Sequence, residues 1–174
     1  MSARNDKKAQ FQQTGKKSSG LLIPIVLVVI VALAAGAWFF VAGGSAGGPQ
    51  QVKANSDGTV RLTADAFADG NARYFRYQGK QGAIDFFLVK SQDGVIRAAF
   101  DSCDVCYKEK KGYRQEGNKM VCNNCDMAFR TDMINQVKGG CNPAPLERNL
   151  VGNEIVIRVA ALERGDRYFN FQIN

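Results

Sequence analysis

From residue 58 onward the chain alternates apolar and polar positions in short runs, the pattern of β-strands with one or both faces covered. Val60 and Leu62 flank Arg61, and residues 72–77 put Phe75 and Tyr77 on one face. Residues 83–90 carry Ile84, Phe86 and Leu88 on one side and Phe87 and Val89 on the other, which predicts a strand buried on both faces. Asp93-Gly94 predicts a turn, because glycine accepts positive φ, and residues 95–100 return as its hairpin partner. Residues 112–115 and 119–121 flank Glu116-Gly117-Asn118, a second and smaller hairpin. Phe129, Met133 and Val137 recur at four-residue spacing with Ile134 beside them, which predicts a short amphipathic helix. Lys138 and Gly139-Gly140 are its stop signals, and Asn142-Pro143-Ala144-Pro145 reads as a rigid turn. Ile155, Ile157 and Val159 alternate, residues 160–165 predict a helical turn, and Phe169, Phe171 and Ile173 alternate as a closing strand. The fold class is α+β and β-rich: a small, mainly antiparallel β domain with a cysteine-rich insertion at residues 101–143.

The N-terminal third has a different texture. Residues 1–20 carry Arg4, Lys7, Lys8, Lys16 and Lys17 against a single Asp6, and residues 21–42 contain no charge at all. As a helix those residues would extend about 33 Å, enough to cross a hydrocarbon core. Pro24 falls in its first turn, and Trp38, Phe39 and Phe40 suit an interfacial anchor at the far end. A cleaved signal peptide is the competing reading, but its apolar region would be about 7–15 residues. The expected organisation is a basic cytoplasmic tail at 1–20, a transmembrane helix at 21–42, a Gly-rich flexible spacer at 43–57 and an exported domain at 58–174. The formal charge of +7 is therefore mostly an orientation signal. Beyond residue 20 there are 18 Lys and Arg against 15 Asp and Glu, which argues against nucleic acid as a partner.

The chemistry is concentrated in sulfur. All 5 cysteines lie in the insertion: Cys103 and Cys106, then Cys122 and Cys125, then Cys141. Each C-x2-C pair lets one tight turn present two sulfurs to the same ion, and the fifteen-residue gap brings the second turn across from the first, as in a ribbon-type metal module. Four of Cys103, Cys106, Cys122, Cys125 and Cys141 make a metal site, with one thiol to spare. A disulfide framework and a redox-active dithiol are the alternatives outside the cytoplasm. The chain has no histidine, which excludes imidazole ligation and histidine-based triads. No nucleophile–base pair is visible, so hydrolysis is not expected, and an electron-transfer or metal-binding component fits better than an enzyme.

Thiolate ligands select zinc, iron, iron–sulfur clusters or copper(I), and spacing alone does not choose among them. The usual ribbon knuckle has glycine after its second cysteine, whereas here Tyr107 and Asp126 stand in those places. Lys108, Lys110, Lys111, Arg114, Lys119, Arg130 and Lys138 surround the pairs and could offset the charge of a thiolate site, or could be a solvated basic face. Tyr107, Tyr113 and Phe129 are candidates for shielding it from water. Asp101, Asp104, Asp126 and Asp132 read as turn residues rather than ligands.

The runs Phe100-Asp-Ser-Cys-Asp-Val-Cys-Tyr, Lys111-Gly-Tyr-Arg-Gln-Glu-Gly, Val121-Cys-Asn-Asn-Cys and Val137-Lys-Gly-Gly-Cys-Asn-Pro resemble the membrane iron–sulfur family associated with bacterial ferrous-iron transport, also known as an uncharacterised cysteine-rich membrane domain. The resemblance spans roughly residues 60 to 170. It implies a bacterial membrane protein whose exported domain binds iron or an iron–sulfur cluster through the five cysteines, and the basic flank adds a cytoplasmic N-terminus. It also implies electron or metal transfer in iron uptake, with a membrane transport or redox protein as partner. Larger members carry several spans before the cysteine domain, where this chain has one apolar segment. Two readings compete: a structural zinc-ribbon interaction module, and a chaperone for a soft ion such as copper(I) with Cys141 as the labile ligand.

Overall fold

The computed structural model describes residues 48–171. The basic tail, the apolar segment 21–42 and Ile173 of the expected closing strand lie outside the described residues. Among the described residues, no helix is long and apolar enough to cross a membrane.

Among the described residues, ten short strands form three sheets. The first sheet has the order β1 (Gln50–Val52), β3 (Arg73–Gln78), β4 (Ala83–Lys90), β5 (Ile96–Phe100). The second has the order β2 (Thr59–Thr63), β10 (Glu154–Arg158), β9 (Asn149–Val151). The third is β6 (Tyr113–Glu116), β7 (Lys119–Cys122), β8 (Ala128–Arg130). All pairings are antiparallel except β1 with β3, which run parallel. One short α-helix among the described residues, α1 (Val159–Glu163), follows β10 directly.

The double-faced strand is the middle of the molecule. Ile84, Phe86, Phe87, Leu88 and Val89 of β4 are all fully buried. Because side chains alternate across a strand, Ile84, Phe86 and Leu88 join Val60, Ile155, Ile157, Leu146 and Leu162 in one core against the second sheet. Phe87 and Val89 join Tyr113, Met120, Ile134, Cys103 and Cys122 in another core against the third sheet. The first sheet is thus sandwiched, and the cysteine-bearing layer packs on its second face. Each fully buried aliphatic or phenyl side chain contributes about 1.5–3 kcal/mol relative to exposure. Phe87 anchors the cysteine layer through tilted ring contacts with Tyr74 at 5.9 Å and Tyr113 at 6.1 Å. Polar stitches reinforce the docking: the Ala72 N–H donates to Gln115 Oε1, and Gln115 Nε2 donates to the Gly70 carbonyl at 2.9 Å.

Three sequence expectations change. The amphipathic helix over Phe129, Met133 and Val137 does not form. Phe129 lies in β8 opposite Met120, a 3-10 turn covers Thr131–Met133, and Met133 and Val137 stay exposed while Ile134 alone is buried. The hairpin partner β7 offers a free edge whose N–H and C=O groups need pairing, and residues 128–130 supply it. Asn135 then takes a left-handed conformation with φ 70°, which no α-helix accommodates. The described part of the expected closing strand, residues 169–171, is turn and irregular backbone rather than strand, and it follows a 3-10 turn over Asp166–Tyr168 whose Tyr168 packs into the core beside Phe100 at 5.8 Å. Finally, Gln50–Val52, inside the stretch read as spacer, is a strand on the edge of the first sheet.

Candidate metal centre

Three separate stretches of chain carry the five cysteines to one place. β5 delivers the chain into Asp101-Ser102-Cys103, and the turn that follows folds back so that the Cys106 N–H donates to Cys103 Sγ at 3.1 Å. The β6–β7 hairpin, closed by Gly117 at φ 58°, ends on Cys122, and a tight turn carries Cys125. There the Cys122 N–H donates to the Met127 carbonyl and the Asp126 N–H to the Cys122 carbonyl. Cys141 arrives because residues 144–146 run along the open edge of β5. Phe100 N–H donates to the Ala144 carbonyl, Ala144 N–H to Ser102, and Leu146 N–H to Ala98. The Tyr113 hydroxyl then fixes the Cys141 carbonyl at 2.6 Å.

The sulfurs form two groups. Cys103, Cys106 and Cys122 lie within 4.8 Å of one another, and so do Cys106, Cys125 and Cys141. Cys106 belongs to both, 3.8 Å from the Cys141 sulfur. Cys103 and Cys122 are buried, Cys106 and Cys141 half-buried, and Cys125 exposed, so the cluster runs from the core outward. All five are free thiols and no disulfide joins them in this structure.

The two knuckles differ from a glycine-containing ribbon in different ways. At the second, Asp126 itself adopts the left-handed φ of 56°, a conformation that a short polar side chain tolerates, and Arg114 holds its carboxylate at 3.0 Å. At the first, Tyr107 opens a 3-10 turn (Tyr107–Glu109) and the left-handed residue is Lys110, φ 52°. Gly112 follows with φ 64°, and any side chain there would collide with the Asp101 carboxylate. That carboxylate accepts the Tyr113 N–H at 2.7 Å, linking the Cys103 turn to the β6 strand.

The electrostatics are those of crowded anions-in-waiting. A hydrogen bond from Asn124 favours the Cys106 thiolate, but burial and the thiols of Cys141, Cys122 and Cys125 outweigh it and push Cys106 up to about 12. Burial and the neighbouring Cys125 thiol push Cys141 up to about 11. Cys125 moves the other way, held down chiefly by the Met127 N–H. Burial raises Tyr113 well above the usual phenol range, with Cys103 adding to it, so its hydroxyl remains a donor. Asp101 is pushed up to about 7 by burial, against the pull of the Tyr113 N–H and with help from Asp85.

An all-thiol donor set, free of imidazole and packed so that the thiols oppose one another's ionisation, fits a thiophilic cation, iron or an iron–sulfur cluster included. Cysteine alone makes up the metal-capable groups among the described residues. The acidic residues do what turn residues do: Asp104 accepts the Tyr168 hydroxyl at 2.7 Å, and Asp132 pairs with Arg130. Of the seven cations expected around the site, Lys110 and Lys111 line its cleft together with Cys103, Cys106 and Cys122. Arg114 is committed to Glu116 and Asp126, and Lys138 lines a different cavity. Tyr113 and Phe129 do cover the cysteine core, whereas Tyr107 packs in the other core, edge-on to Tyr168 and Phe171. Asn124, whose side chain bonds Cys106, is a neighbour of the thiols that sequence reasoning passed over; its signal is the amide pair inside Cys122-Asn-Asn-Cys125.

Fold and site together define a β-rich domain built around a cysteine cluster that could bind metal. Residues 67–169, more than half of the chain, match the family described as membrane iron-sulfur containing protein FtrD-like, and the chain belongs to that family. The resemblance read from the cysteine runs is therefore correct, and it assigns membrane association and iron–sulfur content at the level of the family. No curated protein matches the chain. Among solved structures, the quaternary ammonium Rieske monooxygenase CntA in an inhibitor complex is similar at 15% identity and a TM-score of 0.40, over 56% of this chain and 29% of that one.

Proposed function

We propose that the chain is a single-pass membrane protein whose extracytoplasmic domain holds iron or an iron–sulfur cluster through four of Cys103, Cys106, Cys122, Cys125 and Cys141. In this reading it carries electrons or hands on metal within an iron-uptake system, beside a membrane transport or redox partner. The observation that carries the proposal is the convergence of five free thiols, from three separate stretches, on one side of an otherwise ordinary β sandwich. Family membership supplies iron as the leading metal. The basic stretch at 1–20 and the uncharged stretch at 21–42 supply the anchor and its orientation, N-terminus in the cytoplasm of the bacterial inner membrane.

Bound iron would supply a one-electron change of charge. The chain's own groups set the surroundings of that change. Phe87, Tyr113 and Met120 keep the inner sulfurs dry, and the Tyr113 hydroxyl donates to the Cys141 carbonyl rather than to solvent. Exposed Cys125 puts the outer edge of the site at the surface, where a partner can approach closely enough for exchange. Lys110 and Lys111 beside the cleft offset the negative charge of the thiolates.

The test is to purify the full chain anaerobically in detergent, count its metal and record its spectrum before and after dithionite. Iron with visible charge-transfer bands that bleach on reduction is the expected result. A colourless protein carrying zinc overturns the electron-transfer role and leaves the zinc-clamped interaction module in its place.

A further inference from the structure

We propose that the five thiols form a two-ion site in which the Cys106 sulfur bridges an inner ion, held with Cys103 and Cys122, and an outer ion, held with Cys125 and Cys141. The inference rests on the reading that these thiols ligate metal and goes beyond it in number, connectivity and the use of all five.

A single tetrahedral ion bound at ~2.3 Å to four sulfurs requires six sulfur–sulfur edges of ~3.8 Å, a compact set of four. The chain instead presents two sets of three that share one member. An ion centred in a set whose sulfurs lie no more than 4.8 Å apart sits within roughly 2.8 Å of each, a short relaxation from the ~2.3 Å bond. Two such sets sharing one sulfur account for every cysteine in the chain, so the fifth thiol is no longer a spare. A thiolate has lone pairs enough to bind two ions at once, and Cys106 occupies the only position common to both sets.

Burial distinguishes the two positions. Cys103 and Cys122, at 1% and 2% exposure, place the inner ion in the core shared with Phe87 and Met120. Cys125 is exposed and Cys141 half-buried, so the outer ion faces solvent and has room for a ligand from outside the chain. Charge favours the double occupancy as well. Five thiolates on two divalent ions leave formally one negative charge, against two for four thiolates on one such ion. Lys110 and Lys111 stand by the cleft to offset it. The ligand class is thiophilic divalent ions, and within the inner set the Cys106 N–H already turns toward Cys103 Sγ.

The full chain, reduced and stripped of metal under anaerobic conditions, is titrated with an NMR-active isotope of cadmium while bound metal is counted. Saturation at two ions per chain is expected, with two cadmium resonances in the thiolate-rich region that split each other through the shared sulfur. Cys106→Ser should abolish the splitting, while Cys125→Ser should lose the outer resonance and keep the inner one. The splitting in the unmodified chain needs no variant to fold. Saturation at one ion, with a single four-thiolate resonance, overturns the two-ion site and leaves the metal centre standing. Two resonances without splitting overturn the bridge. Failure to bind any cadmium overturns both this inference and the metal-binding reading beneath it.

Discussion

Asp101 shows how a single residue couples the site to its fold. It leaves β5 beside Cys103, its carboxylate accepts the Tyr113 N–H, and Gly112 provides the space it fills. Its carboxyl is pushed up to about 7 from an ordinary value of 3.8, chiefly by burial. Between those values the folded chain binds a proton that the unfolded chain has released, so stability falls as pH rises from about 4 to about 7 and is level above that. Asp101→Asn keeps an oxygen for the Tyr113 N–H and removes the titration. Urea melts of the metal-free domain should therefore show the variant gaining on the parent by a few kcal/mol, as an order of magnitude, between about pH 4 and about pH 8. Equal pH dependence in the two proteins would show that Asp101 is not the group responsible. At this scale the sequence singled out the five thiols and the acidic turn residues by type and spacing, and the structure gathers the thiols into groups that could hold metal. The sequence did not reveal Asn124 beside Cys106, or the duty of Asp101, because both depend on what lies across a turn rather than along it.

Among the elements, β4 is the one whose two faces do different work. Phe86 faces the core shared with the second sheet and stacks on Phe75 at 5.4 Å. Phe87 faces the cysteine layer. Truncating either to alanine leaves a cavity and should cost about 3–5 kcal/mol in a denaturant melt. The two should part in metal retention: Phe87→Ala loses metal to a competing chelator faster than the parent, and Phe86→Ala does not. Equal retention would mean that the cysteine layer holds its own shape without β4. The alternation at residues 83–90 made this strand and its double burial legible, as did the turn at Asp93-Gly94. The stretch 128–137 misled, because three apolar residues at helical spacing are also compatible with a strand and a turn. The unpaired edge of β7 decided between them, and an edge is a property of the assembled sheet.

For the whole molecule, a metal held by the thiols would share one equilibrium with the fold. The cysteine layer packs through Cys103 and Cys122, which belong to the same core as Phe87 and Met120, so whatever binds the sulfurs also clamps the third sheet to the first. A ligand at a hundredfold excess over its dissociation constant adds about 2.7 kcal/mol. For a domain of this size that corresponds to a thermal midpoint higher by roughly 10 °C. Differential scanning calorimetry with and without a strong chelator should show a drop of that order. An unchanged midpoint would mean that the metal, if bound, is peripheral to the fold.

The sequence by itself determined the β-rich class, the strands whose alternation is strict, the two knuckles and the membership of all five cysteines in one window. Those are local properties, written in side-chain period, turn chemistry and short spacing. Only the tertiary structure decided that Cys141 joins the pairs, because that depends on residues 144–146 closing the open edge of β5. It also decided that the sulfurs gather as two sets sharing Cys106. Distances between segments more than a dozen residues apart are fixed by which sheet edges are free and which faces are apolar, and no spacing along the chain records them.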